Sequence, residues 1–218
     1  MRGPNRQRKP GRREPFRDPK PTLLIVCEGV NTEPQYFVEF AKHHRNPRVK
    51  VEIAPQHGVP LTLVQVAKQY RDDSLKAARR EHDENIAYDS VWCVFDIDEH
   101  PNVPQAKQVA GASGIKVAVS NPCFELWLLL HVRDSPGMQH RHAVQQMLKN
   151  ILGEYNKHID FGKFSDGYEQ AVARARRLHA IAELAGTPGH NPTTNVHELT
   201  ESIAASETCE DAAATQSE

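Results

Sequence analysis

Two short apolar runs, each closed by acidic side chains, constrain this chain more than any other feature. Residues 22–27 read TLLIVC and are followed by Glu28-Gly29, and residues 90–98 read SVWCVFDID. A strand with one wet face alternates apolar and polar residues; these runs do not. Both therefore read as strands covered on both faces, the habit of central strands in a parallel sheet. Acidic residues that end such strands stand beyond the carboxyl edge of the sheet, where α/β folds usually bind ligands.

The stretches around these runs alternate between strand and helix patterns. Asn31-Thr32 opens a predicted helix, with Thr32 as cap, Pro34 in the first turn and Gln35 at the capping-box position. Tyr36, Phe37 and Phe40 give it an apolar face, and it should end near His44. Val49, Val51 and Ile53 alternate with charged residues, which suggests a strand nearer the edge. Thr62 and Gln65 suit the start of a long helix whose far half, 71–84, is strongly charged and solvated. A short helix is expected around 104–110 and a strand at 115–119. Ser120-Asn121-Pro122 then opens a helix carrying Phe124, Leu126, Trp127 and Leu130. Beyond Arg133 the pattern predicts helices around 140–155 and 166–185 and another starting near Thr194, with no further strand.

The expected architecture is α/β: a roughly four-stranded, mainly parallel sheet flanked by helices, with a helical C-terminal extension. Its expected divisions are a basic arm at 1–20, an α/β core at 21–133, a helical extension at 134–203 and an acidic tail at 204–218.

Composition limits the function classes. A chain of 218 residues that is 39% hydrophobic can bury one good core. No apolar run is long enough to span a membrane, and the one beginning at Leu23 is too short for a signal peptide. Four cysteines are present without a CxxC pair, which disfavours a cysteine-rich zinc site. Cys27, Cys93 and Cys123 lie in apolar surroundings and read as small core residues, consistent with a reducing, cytoplasmic setting. The net charge of -1 hides an asymmetry: residues 1–20 hold eight Lys/Arg against two acids, and residues 198–218 hold six acids and no Lys/Arg. The basic arm suits contact with phosphates, or simply keeps the chain soluble.

The acidic strand ends carry the chemistry. Asp96 and Asp98 are two apart, so on a strand they project to one face and repel each other. A divalent cation removes that cost. An all-oxygen shell suits Mg2+ or Mn2+, whereas zinc favours His or Cys. In a parallel sheet Glu28 shares the same crevice, and Gly29 lets the backbone turn or approach closely; Glu28 alternatively only accepts backbone N–H bonds or caps the next helix. Ser120 and Asn121, at the end of the fourth strand, suit hydrogen bonds to substrate phosphate or a helix cap. Glu125 falls on the first helical turn and suits a further metal ligand. His131 reads as a buried, hydrogen-bonded histidine rather than a catalytic one. Lys163 and Arg177, the latter beside Arg174 and Arg176, suit contact with a nucleic-acid backbone or a solvated face. Residues 191–195 (NPTTN) read as a helix start capped by Thr193 or Thr194, or as a substrate contact through Asn191 or Asn195.

Four strings carry a resemblance: IVCEGVNTEPQYF (25–37), VWCVFDIDE (91–99), AVSNPCFELWLLLH (118–131) and NPTTNVHELT (191–200). With them the chain resembles the RloB-like family, whose core is a Toprim (topoisomerase–primase) domain. The resemblance implies a Toprim-like fold in which Glu28 is the Toprim glutamate and Asp96 and Asp98 are its metal-binding aspartates. It also implies bacterial defence against phage, sometimes beside a partner ATPase.

The function expected is Mg2+- or Mn2+-dependent endonuclease cleavage of DNA or RNA. Glu28, Asp96 and Asp98 would be catalytic. The metal ligands would be the same three with Glu125, and Gly29, Ser120, Asn121, Lys163 and Arg177 would meet substrate. The competing class is a non-catalytic nucleic-acid-binding or sensor subunit working with a partner ATPase. A phosphatase or nucleotide hydrolase is a third class, weakened by the lack of a GxxxxGK[ST] loop. Size disfavours a topoisomerase, and the lack of a cysteine-rich zinc module disfavours a primase. The apolar helix 122–131 can face the sheet or a second subunit, so a homo-oligomer stays open.

Overall fold

A computed structural model describes residues 21–53, 59–97, 102–153 and 159–205. The strands are β1 (Leu23–Cys27), β2 (Val49–Ile53), β3 (Ser90–Asp96), β4 (Lys116–Asn121) and β5 (Thr193–Thr194). The helices are α1 (Thr32–His43), α2 (Pro60–Glu81), α3 (Val103–Ala112), α4 (Glu125–Val132), α5 (Arg141–Leu152), α6 (Tyr168–Leu184) and α7 (Val196–Ala204). The expected arm at 1–20 and nearly all of the expected acidic tail lie outside the described residues.

The strands form one sheet in the order β2-β1-β3-β4-β5. β1, β2, β3 and β4 run parallel, and β5 pairs antiparallel with β4. Every residue of β1 is fully enclosed. Leu23, Ile25 and Cys27 join one core cluster with Trp92 and Val94, while Leu24 and Val26 join the other with Val91, Cys93 and Phe95. This is the two-residue period of a strand with both faces buried. β2 lies at the edge, as its alternation predicts, with Val49 and Val51 packed against the first cluster.

The helices divide unequally. α2 and α3 cover one face through Leu63, Val64, Ala67, Val103, Ala106 and Ala110. α1, α4, α5, α6 and α7 cover the other. Residues 126–130 of α4 are all completely buried, and α4 packs against α5 and α6. A helix apolar on all sides belongs inside a core. The chain's own helices thus enclose α4, rather than a second subunit. Gly167 permits one of these contacts, because a Cβ there would collide with the His131 carbonyl.

The strand order reverses at β1 and β3. From β1 the chain passes through α1 on one face to β2, then returns through α2 on the opposite face to β3. The two crossovers part between the carboxyl ends of β1 and β3, leaving the crevice in which open α/β sheets bind ligands.

Several local expectations need correction. The sheet has five strands rather than four; β5 is two residues long, too short to carry a period, and forms only because β4 offers it an edge. Thr32 is the first residue of α1 rather than its cap, and the Gln35 Oε1 accepts a hydrogen bond from the Ile159 N–H (3.0 Å) instead of closing a capping box. α2 begins at Pro60, whose fixed φ suits a first turn, not at Thr62. Thr193 and Thr194 pair in the sheet, and Asn195 stands at the cap of α7.

Asn195 extends the pairing of β4 with a side chain in place of a backbone. Its Oδ1 accepts from the Val119 N–H (2.7 Å) and its Nδ2 donates to the Val117 carbonyl (3.0 Å). Replacing Asn195 by Ala should strand both groups and cost about 2 kcal/mol. Thermal unfolding should then show a fall of roughly 4–8 °C in a chain of this size.

Candidate functional site

Asp96 is the last residue of β3. On the register Cys27 lies opposite Val94, and the Glu28 N–H continues that ladder by donating to the Val94 carbonyl (3.0 Å). Glu28 therefore stands at the level of Phe95, one residue from Asp96, at the point where the strand order reverses. Along β3, Trp92 and Val94 face the α1/α4 side, so Asp96 projects toward the beginnings of those helices.

There it meets other acids. A small cavity of about 120 Å³ is lined by residues 29–33, Asp96, Phe124, Glu125, Arg141 and Gln145. Burial pushes the Asp96 carboxyl well above the usual carboxylate range, and Glu33, Glu125 and Glu28 add to the rise, while Arg141 opposes it. The Arg141 guanidinium lies 3.8 Å from Asp96 Oδ2, and the Asp96 side chain is only 15% exposed. Glu125 is buried in the first turn of α4, where its Oε1 accepts a hydrogen bond from Gln145 Nε2 (3.1 Å). Glu33 folds back over Gly29 so closely that a Cβ there would collide with its carboxylate. Gly29 leaves room for this carboxylate, and a larger residue there would have to push the Glu33 side chain aside.

Two thiols border this centre. Burial raises the Cys27 thiol well above its ordinary range, with Glu33 adding to the effect, and burial with Glu125 and Asp96 raises Cys123. Both remain protonated at neutral pH, so neither offers a thiolate to a metal or an electrophile.

The other expected site residues among those described do not line this cavity, although Ser120 pairs with Asp96 across β4 and β3. Asp98 falls outside the described residues, as do Glu99 and His100. Ser120 is buried, with its hydroxyl against that of Thr194 (2.9 Å). Asn121 Nδ2 donates to the Gly189 carbonyl (3.0 Å). Lys163 ends a short 3-10 turn and Arg177 is exposed on α6; neither lines the cavity. Asn191 holds the Gln139 backbone through its Nδ2 (2.7 Å), and Arg174 ties α6 to the Leu130 carbonyl and Asp134.

Sequence reasoning missed Glu33, Arg141 and Gln145. Glu33 carried no signal, because an acid in the first turn of a helix is ordinary. Arg141 did carry one: it opens α5 with a cation in the first turn, against the helix dipole.

The donor set is all oxygen, which suits a hard divalent cation such as Mg2+ or Mn2+. Its fit is one of chemistry and charge: burial and crowding of Asp96 favour a cation. Among the described residues, however, no group of three or more His, Cys, Asp or Glu side chains stands as a ready-made metal shell.

His131 lies outside this centre and is fully engaged. Its Nδ1 donates to the Phe164 carbonyl (2.9 Å), which leaves Nε2 to accept from the Tyr36 hydroxyl (3.2 Å). Burial pushes its pKa down to about 4.

Two pH effects follow, of opposite sign. The unfolded chain binds a proton at His131 that the folded chain refuses, so His131 should cost about 3 kcal/mol of stability as pH falls from about 6.5 to about 4. Urea unfolding across that range should show the loss in the parent chain and not in His131→Phe. For Asp96 the folded carboxyl holds its proton more tightly, so its contribution is lost as pH rises above about 3.8. In chelator at neutral pH, Asp96→Asn should melt above the parent, and the gap should close as pH falls toward about 4.

No helix among the described residues is long and apolar enough to cross a membrane. Comparison with curated proteins and with solved structures gives no match. The sequence profile of the family described as RloB-like protein matches residues 23–203, from the first residue of β1 into α7. With a match over most of its length, the chain belongs to the RloB-like family.

Proposed function

We propose that this chain is a divalent-metal-dependent nuclease that cleaves phosphodiester bonds of DNA or RNA. The observation that carries the reading is the convergence of Glu28 and Asp96 at the strand-order reversal, with Glu33 and Glu125 facing the same carboxylate. Crowded carboxylates at the edge of a sheet are costly unless a cation joins them. The order Glu28-Gly29, then Asp96-x-Asp98, also follows the Toprim pattern.

In this reading Asp96, Asp98 and Glu28 would hold Mg2+ or Mn2+, with Glu125 beside them. A bound ion of this kind supplies positive charge to the phosphate oxygens and an acidified water as nucleophile. The chain's residues orient and enclose. Gly29 leaves space over the loop after β1 for the Glu33 carboxylate. Gln145 fixes the carboxylate plane of Glu125. The buried floor of Phe124 limits water. Ser120 and Asn121 hold β5 and the 186–190 turn beside the site, where they would also border bound substrate. Contacts from Lys163, Arg177 and the basic arm 1–20 to a longer nucleic acid belong to the same proposal. Its setting is the cytoplasm of a bacterium defending against phage, beside a partner ATPase, as the family resemblance implies.

A sensor subunit is the second reading. It is favoured by Arg141, which already places one positive charge beside the acids. The two readings separate in a cleavage screen over DNA, tRNA and structured RNA with Mg2+ or Mn2+. The nuclease reading expects metal-dependent cleavage that falls at least about 100-fold in Glu28→Ala and Asp96→Ala. Unchanged rates in both variants overturn it, and tight binding without cleavage by the parent selects the sensor.

A further inference from the structure

We infer that Arg141 is a built-in competitor for the divalent cation: its guanidinium stands in for the ion at the acidic centre and must be displaced when metal binds. This rests on the metal reading above. Arg141 is the one Lys or Arg among the described residues lining the cavity. Glu33 on α1, Asp96 on β3 and Glu125 on α4 line the same cavity, and Glu28 after β1 lies close enough to add to the rise of the Asp96 carboxyl.

Helix electrostatics oppose the position of Arg141. It is the first residue of α5, where the helix dipole disfavours a cation, and its neighbour His140 accepts the N–H of His142 (3.4 Å) as the cap. The acids of the cavity offset that opposition. The start of α5 is also held against α4: Cys123 Sγ lies 4.0 Å from the Arg141 carbonyl, and Gln145, one turn further on, donates to Glu125. The backbone of Arg141 is therefore anchored at the cavity while its side chain stays 35% exposed.

The geometry of the pair completes the argument. At 3.8 Å from Asp96 Oδ2, Arg141 neutralises charge without a short hydrogen bond to that oxygen. Such a contact balances the acids, and with the Arg141 side chain 35% exposed the guanidinium has water to turn toward when an ion displaces it. A divalent ion among the same carboxylates would meet the guanidinium at close range, and the two positive charges repel. Arg141 thereby lowers the affinity of the centre for metal and keeps it from closing on a stray ion.

The test is Mn2+ binding by calorimetry to the full chain, for the parent, Arg141→Gln, Arg141→Lys and Asp96→Asn, with unfolding of the same proteins and the Arg141→Gln/Asp96→Asn double variant in chelator. Arg141→Gln should bind Mn2+ about tenfold more tightly than the parent, with Arg141→Lys close to the parent. In chelator, Arg141→Gln should lower the melting temperature more in the parent than in the Asp96→Asn background, a coupling that is read without metal. Equal or weaker Mn2+ binding by Arg141→Gln, or no coupling to Asp96, overturns the inference and leaves the metal reading standing if the parent binds Mn2+ and Asp96→Asn does not. Binding by Arg141→Gln but not by the parent supports the competitor and removes the metal-dependent activity of the parent. No Mn2+ binding by any of the proteins overturns both.

Discussion

Every side chain of β1 and the middle of β3 is enclosed, and strands enclosed on both faces need helices above and below them. Parallel neighbours can be joined only by crossovers, so the helices that bury the strands are also the connections between them. With α1 crossing on one face and α2 on the other, the crossovers must separate where β1 meets β3. The crevice is thus a consequence of burying two apolar runs. Any polar residue that ends either run is delivered into it.

The acidic centre inherits its character from that geometry. Asp96 faces the α1/α4 side because it continues the face of Trp92 and Val94. Glu33 and Glu125 each lie in the first turn of a helix, where acids are favoured by the dipole. Each is locally comfortable, and the crowding arises only when the helices pack. The result is a carboxyl at Asp96 that resists ionisation, two thiols held protonated beside it, and an arginine drawn against its own helix dipole. These are connected answers to one local excess of negative charge.

The opposite face of α4 shows a different economy. His131, Tyr36 and Phe164 form a closed hydrogen-bonded chain inside an aromatic cluster, and both histidine nitrogens are spent on it. The same helix therefore presents a carboxylate to the cavity at its start and a structural histidine to the core at its end. Proximity along the sequence does not make them one site.

The apolar runs that form β1 and β3 carried enough information to identify central parallel strands, and the alternation at 49–53 carried enough for an edge, because burial on two faces or one is written directly in side-chain polarity. The strand-end position of Glu28 and Asp96 was legible for the same reason. Helix starts were less so: Pro60 rather than Thr62, and Asn195 rather than Thr193 or Thr194, since several residues nearby could cap equally well and packing chose among them. β5 was invisible, being two residues that pair only because an edge and the Asn195 amide await them. Glu33, Arg141 and Gln145 entered the centre through the docking of α1 and α5, and no local pattern encodes which face of a helix will meet a distant strand end. The sequence alone determined which segments must be buried and what chemistry ends them. Only the tertiary structure decided which charges share a cavity, because the electrostatic cost of that sharing comes into being when separate elements pack.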